Sequence, residues 1–445
     1  MPVLRAVLLA CLFSSVAQPA MAQQQGEGFD LSATTRVRYE AIDNQLRVGF
    51  DRSDTLVNLR TTLQARYREG PLTLTAELWD SRVWGDDPGT PVTTNEVNTL
   101  ELVQAHAAWR TRVGKAQVTL QGGRFMLNIG SRRLVAADEY RNTTNGYTGL
   151  KADVTTPGGV SATAIYVLPQ QRRPDDPAAL RSGRVEWDHE GFDQVLWGGT
   201  LARAKALGPV SVEASFFHLG ERDTPGRPTR DRSLDTVGGR VMRDPAPGKA
   251  DFEVEAFHQS GTVSASAAAS AARLPVSASF VHADFGYTLT DAWKTRLSLE
   301  YDRASGDRAG GRFTRFDTLF GMRRADLAPS GLYNAVGRAN LSSLGARIET
   351  APSKRIDLMA TWHALWLAER TDTFSTTGIR DVSGRAGSFA GHQFDARLRW
   401  WVLPERLRFE WTGVMLAKGR FLRDAPNAPR GGTTIYNSLN LTASF

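Results

Sequence analysis

Ile435-Tyr-Asn-Ser-Leu-Asn-Leu-Thr-Ala-Ser-Phe445 ends the chain with Ile435, Leu439, Leu441, Ala443 and Phe445 on one side of an extended backbone and Tyr436, Ser438, Asn440, Thr442 and Ser444 on the other. Side chains of a strand alternate between its two faces, so an apolar row opposite a polar row reports two different media. Asn437 is the one polar residue on the apolar side. An apolar-out, polar-in strand that finishes on an aromatic residue is what closes a transmembrane β-barrel.

The same period recurs upstream. Val281, Ala283, Phe285, Tyr287 and Leu289 alternate with His282, Asp284, Gly286, Thr288 and Thr290. After a tight turn at Asp291-Ala292, Leu297, Leu299 and Tyr301 alternate with Arg296, Ser298, Glu300 and Asp302. Phe394 to Val402 and Leu407 to Met415 form a second hairpin around Leu403-Pro404-Glu405-Arg406, and Val57 to Tyr67 and Leu72 to Leu78 form a third around Glu69-Gly70-Pro71. Strands of about ten residues joined by such short turns fit a tilted crossing of a bilayer. Trp84 to Asn98, Pro169 to Glu190, Gly220 to Leu234, Gly306 to Arg315 and Thr371 to Ser388 are rich in Gly, Pro, Asp and Arg and predict long loops at the other end.

Short turns alternating with long loops predict an all-β, antiparallel up-and-down barrel. Each Arg or Lys facing lipid at mid-membrane costs about 2–4 kcal/mol, so the register that turns Arg397, Arg399 and Arg408 inward is preferred. Trp109, Trp293, Tyr301, Trp400 and Trp411 are then candidates for aromatic girdles at the membrane interfaces. No separate plug domain and no repeat of 20 to 50 residues is legible, so residues 23–445 read as one barrel domain.

Residues 1–22 have the parts of a secretory signal: Arg5, an apolar core from Ala6 to Ala17, and Ala20-Met21-Ala22 as a small-x-small cleavage site. Removal leaves 423 residues with a formal charge of +6. The single cysteine, Cys11, lies in this segment, so a mature chain has neither a disulfide framework nor a thiolate metal site. Beyond the signal no apolar run reaches the roughly 18 residues a spanning helix needs.

Of 54 basic residues only seven are lysine. Arginine offers a planar fork that binds carboxylates through paired hydrogen bonds, whereas lysine offers a point charge. Inward-facing strands bring Arg36, Arg38, Arg60, Arg66, Arg397, Arg399 and Arg408 toward one lumen, with Asp302, Asp395 and Glu410 interspersed. Such a ring selects anions; a wet interior of mutually paired charges is the plainer reading. A barrel-embedded hydrolase would need a nucleophile beside a histidine base, and none of the seven histidines sits in a spacing that names a triad. His282 and His363 fall on polar faces and read as hydrogen-bonded lumen residues. A structural, adhesin-like barrel is the remaining alternative.

Two stretches carry a family resemblance. One runs Gly123-Arg124-Phe-Met-Leu-Asn-Ile-Gly130-Ser131-Arg132-Arg133-Leu134 and continues to Arg141-Asn-Thr-Thr-Asn145. The other runs from Tyr301-Asp-Arg-Ala-Ser-Gly-Asp307 through Phe316-Asp-Thr-Leu-Phe-Gly-Met-Arg323-Arg324, Pro329-Ser-Gly-Leu-Tyr333 and Arg338-Ala-Asn340 to Gly345-Ala-Arg347. Together with Trp366 to Asp372 and Gly391 to Phe421, they resemble the alginate-export family of outer-membrane porins. Phe125 stands where that family more often has glutamine, and Asn334 where glycine is usual. The resemblance implies an 18-stranded monomeric barrel in the bacterial outer membrane with a basic lumen, long outer loops and passive conduction of an anionic polysaccharide. At 423 residues, 23.5 per strand and connection, the length accommodates 18 strands.

The selectivity candidates are Arg60, Arg124, Arg397, Arg399 and Arg408, with Asp395 and Glu410 as orienting acids. No catalytic residue, metal, cofactor or nucleic acid is assigned. The expected partners are an anionic carbohydrate or small anionic solute, outer-membrane lipid and export proteins on the periplasmic side; a general diffusion porin with mild anion preference is the alternative.

Overall fold

Backbone N–H and C=O groups cannot be left unpaired in hydrocarbon, so a sheet that crosses a membrane must close on itself. The computed structural model, which describes residues 27–323 and 326–445, is such a sheet. Its 18 antiparallel strands are β1 (Gly28–Asp43), β2 (Asp54–Glu69), β3 (Leu72–Trp84), β4 (Asn98–Val113), β5 (Ala116–Met126), β6 (Gly146–Thr155), β7 (Val160–Pro169), β8 (Gln194–Leu207) and β9 (Val210–Glu221), followed by β10 (Ser233–Arg243), β11 (Lys249–Ser264), β12 (Arg273–Thr288), β13 (Arg296–Ala304), β14 (Leu341–Ser353), β15 (Ile356–Trp366), β16 (Phe389–Leu403), β17 (Leu407–Lys418) and β18 (Thr434–Ser444). Each strand pairs with its sequence neighbours, and β18 pairs with β1 to complete the ring. The terminal Phe445 exchanges both backbone hydrogen bonds with Ala33, at 2.9 and 3.1 Å. The expected signal over residues 1–22 lies outside the described residues.

The two media are visible along single strands. Leu299 of β13 is 62% exposed and Leu441 of β18 is 46% exposed, whereas Asn440 and Asp302 are buried inside. Asn437, the polar exception on the outer face, accepts a hydrogen bond from the Trp411 indole N–H at 3.3 Å, which partly satisfies both groups away from water. Exposed Trp109, Trp293 and Trp400 sit at the short-turn end; exposed Tyr39, Trp84 and Trp197 sit toward the long-loop end. Two short turns, Gly70-Pro71 and Gly208-Pro209, place a glycine at φ +52 and +62, a conformation without Cβ penalty, directly before proline.

A uniformly polar bore is not what the strands build. In the long-loop half, many inward positions are apolar: Phe125, Tyr147, Val167, Leu196 and Leu219 on one side, Ile42, Leu56, Leu365 and Leu416 on the other. They pack against residues 127–145, between β5 and β6, and residues 305–340, between β13 and β14. Loops folded into a barrel must bury side chains of their own, and each large one contributes about 1.5–3 kcal/mol only against an apolar wall. The bore is therefore polar where it carries water and apolar where it carries loops. Short helices α1 (Pro177–Ser182) and α2 (Arg420–Asp424) cap the loops after β7 and β17.

Replacing Leu299 by arginine should cost about 2–4 kcal/mol if this residue faces hydrocarbon at mid-depth. Urea titration of protein folded into phospholipid vesicles should show a lower unfolding midpoint; an unchanged midpoint means the outer face has been misassigned.

Candidate functional site

Residues 127–145 and 305–340 cross the bore. In a ring of 18 strands β10 stands opposite β1, so a segment held at both walls spans the opening. On the β1–β2 side, Arg36 donates to the backbone carbonyls of Glu139 (3.2 Å) and Arg141 (2.6 Å), and Arg60 donates to the same two at 2.9 and 3.0 Å. Arg38 donates to the Tyr140 carbonyl at 2.5 Å, with its guanidinium 4.1 Å from the Tyr140 ring centre. On the far side, Ser131 donates to Glu255 of β11 at 2.7 Å, and Arg133 pairs with Glu255 at 2.9 Å and with Glu253.

The second segment is held at the same two walls. Its Leu332 N–H donates to Glu40 of β1 at 2.8 Å, and its Asp317 carbonyl accepts from Gln259 of β11 at 2.8 Å. The segments also bind each other. Ala136 and Phe320 N–H groups donate to Phe320 and Leu134 carbonyls at 3.1 and 2.9 Å, and Arg133 grips Asp326 through two hydrogen bonds of 2.7 and 2.8 Å. Arg338 pairs with the same carboxylate. Burial by itself raises the Asp326 pKa, but the attraction of Arg133 and Arg338 outweighs it and holds the carboxyl well below the usual range.

Arg36 and Arg60 matter for a second reason. Their hydrogen bonds go to neutral oxygens, backbone carbonyls and the Asn142 amide, Arg60 also lies over the Trp79 ring, and among the described residues neither forms an ion pair. Hydrogen bonds to carbonyls satisfy the donors without cancelling the charge, so these two guanidinium groups keep their positive charge. A further basic group lies on the long-loop side. Arg141 pairs with Asp138 at 2.6 Å, while Arg172 donates to Asn145 and Asn95, each at 2.8 Å. Burial first and the neighbouring Arg141 second lower both Arg172 and Arg323 to about 10, a depression that still leaves both cationic at neutral pH.

The structure brings most of the sequence candidates together. In the cross-strand rows, Arg408, Thr442, Arg36 and Arg60 stand side by side, as do Arg399, Glu410, Asn440, Arg38 and Asn58. Arg399 pairs with Glu410 at 2.7 Å, Arg397 with Asp357 at 3.2 Å, and Arg408 lies 5.5 Å from the Trp401 ring centre. Asp395 shares this inward face and is buried.

Arg124 does not join them. Unbroken β4–β5 register keeps it in phase with lipid-exposed Leu120, while Phe125 turns into the bore. Its guanidinium is held by Glu101 and Glu190, both at 2.6 Å, beside the loop after β7. Gly122-Gly123 carry no side chains to report the phase, which is why the sequence misplaced it. The sequence candidates also omitted Arg133, Arg141, Arg172, Arg323, Asp326 and Arg338, all loop residues that no period of two can place. Arg133, Arg141, Arg323 and Arg338 lie in the stretches that carry the family resemblance, which was their one signal; Arg172 and Asp326 had none.

His282 and His363 are hydrogen-bonded wall residues, to Asp302 and Ser343 respectively, each at 2.9 Å. His282, Asp302 and Asp326 bring ligand atoms within 4.8 Å of one another, yet Asp326 is already held by two guanidinium groups that repel a cation. Ser343, His363 and Glu300 form a chain, His363 lying 3.3 Å from Glu300, but all three are buried and Glu300 is shared with Arg347 at 3.0 Å. A substrate carbonyl has no approach to that serine.

The family model described as alginate export matches residues 28–434. Among solved structures, Pseudomonas aeruginosa OccK8 (OprE) aligns with a TM-score of 0.60 at 11% identity over 94% of this chain and 99% of its own. OccK2 (OpdF) from Pseudomonas aeruginosa, solved in complex with glucuronate, aligns with a TM-score of 0.56 at 13% identity over 94% and 96%. Pseudomonas aeruginosa OpdK, solved with vanillate, aligns with a TM-score of 0.57 at 10% identity over 94% and 98%. At these identities the likeness establishes the fold. No curated protein sequence matches.

Asp326→Asn removes the charge that joins the crossing segments, and breaking a buried pair typically costs about 3–5 kcal/mol. Single-channel recordings should show a larger and noisier conductance than wild type. The pH dependence has a definite sign: a depressed carboxyl contributes stability above its unfolded value near 3.9, and that stability is lost only as pH falls through the lower folded value. Wild-type conductance should therefore show no loosening of the loops between pH 7 and about pH 4.

Proposed function

The chain belongs to the alginate-export family and forms a porin-like channel in the bacterial outer membrane; from that premise we propose that it passively conducts carboxylate-bearing solutes, an alginate-like chain or small anions such as uronates. The observation that carries this reading is the uncompensated charge of Arg36 and Arg60 where the segment 139–141 meets the wall. A solute carboxylate approaching these groups meets guanidinium charge that is not locked in an ion pair with the wall. Arg397, Arg399 and Arg408, with Asp395 and Glu410 orienting them, extend the basic face toward the short-turn mouth. Carboxylates exchange from one guanidinium to the next, each contact strong enough to admit and weak enough to release.

Bound glucuronate in one structural relative and vanillate in another support a carboxylate as the recognised group. Fold and family are those of channels rather than enzymes. In this reading residues 1–22 direct export, residues 23–445 act as one monomeric barrel, and any export partner meets the short-turn end.

A second reading rests on the ion pairs Arg397–Asp357 and Arg399–Glu410. Charges already paired within the wall give only mild anion preference, as in a general diffusion pore.

Reversal potentials across a planar bilayer under a potassium chloride gradient should have the sign of an anion-preferring pore. Arg397→Glu with Arg399→Glu should move the reversal potential toward cations, and Arg172→Gln with Arg323→Gln should reduce the anion preference without reversing it. Glucuronate should produce discrete current blockades, whereas a general diffusion pore gives only a proportional reduction. A cation-preferring wild type overturns the reading.

A further inference from the structure

Away from the crossing segments, a cleft of 370 Å³ opens at the short-turn mouth between β2, β3 and β4. We propose that it is a separate carboxylate-binding station formed by Arg66, Arg68 and Arg110, taking one uronate unit of an anionic solute at the end of the bore remote from the constriction. The inference rests on the anion-conducting reading for its ligand but on different residues for its site.

The sequence builds the cleft through register. Arg68, Thr73 and Ala108 lie in one cross-strand row, Arg66 and Thr75 in the next, and the Arg110 N–H donates to the Pro71 carbonyl at 2.9 Å at the β2–β3 turn. Arg66 and Arg68 stand two residues apart on the inward face of β2. Arg110 stands on β4, two strands away, which places its backbone roughly 10 Å from theirs. Between them the inward positions are short, Thr73 and Ala108, so the long arginines border a space that no side chain fills. A volume of 370 Å³ falls within the ordinary range of small-molecule sites.

Charge points the same way. Arg66 donates to the neutral Gln64 amide oxygen at 2.8 Å, and among the described residues none of Arg66, Arg68 and Arg110 forms an ion pair. Glu27 is the one acid lining the cleft, and it accepts from the Gly70 N–H at 3.3 Å. Nearby Asp153 pairs with Lys151 at 2.6 Å, and Glu77 accepts from Gln64, Gln104 and Trp79. Three guanidinium groups face the rim carboxylate Glu27 and Asp30, the cross-strand neighbour of Arg66, and this excess of forked donors matches a solute carboxylate in geometry as well as in sign. Arg110 is exposed and Arg66 and Arg68 are half-buried, so the donors are reachable from solution.

The test uses the full-length mature protein inserted in one orientation in a planar bilayer, with glucuronate added to one side at a time. Wild type should show blockades from the short-turn side whose frequency falls about tenfold in Arg68→Gln with Arg110→Gln, the expected loss for charge-assisted hydrogen bonds. Blockades from the long-loop side and the sign of the reversal potential should remain. Ala108→Phe fills the cleft without removing a charge and should reproduce the one-sided loss. Unchanged short-turn blockades in both variants overturn the station while leaving anion conduction intact. A cation-preferring wild type overturns the anion-conducting reading itself.

Discussion

Everything in this protein depends on the pairing of β18 with β1. A sheet of 18 strands in hydrocarbon has no water to satisfy an open edge, and closure removes the edge altogether. Closure then creates an inside. Once the outer row of every strand is committed to lipid, the alternate row is forced into a shared interior, and residues hundreds of positions apart become neighbours. Arg38 hydrogen-bonds Asn440 at 2.5 Å for this reason alone.

The interior solves two incompatible demands by dividing its length. Toward the short turns it is polar and charged, suited to water and solute. Toward the long loops its walls are apolar, because two inward-folded segments need something to pack against. Where the zones meet, charge fixes the loops in place. The Asp326 carboxylate takes both Arg133 and Arg338, and Glu40 reaches the Leu332 N–H, so each crossing segment is held by groups whose desolvation is compensated.

The arginines fall into two physical classes that sequence counting merges. Arg133, Arg296, Arg347 and Arg399 are matched with carboxylates and hold the wall together. Arg36 and Arg60 are matched with neutral oxygens and leave their charge to the bore. Hydrogen-bond satisfaction and charge neutralisation are separate accounts, and the difference between them sets the field that a solute meets.

The alternation in Ile435 to Phe445, repeated in Val57 to Tyr67, Val281 to Tyr301 and Phe394 to Met415, determined the barrel, the lipid face and the inward turn of Arg60, Arg397, Arg399 and Arg408. Period two is a property of neighbouring residues and is legible without a partner. Arg124 was misplaced because glycines erased that period just before it, and the apolar upper wall went unseen because an inward valine such as Val167 looks the same whether it meets lipid or a loop. Only the tertiary structure decided that residues 127–145 and 305–340 cross the bore and bind each other. Loop conformation follows no local repeat, and contacts such as Arg133 to Asp326 exist only after closure has brought their strands around one axis.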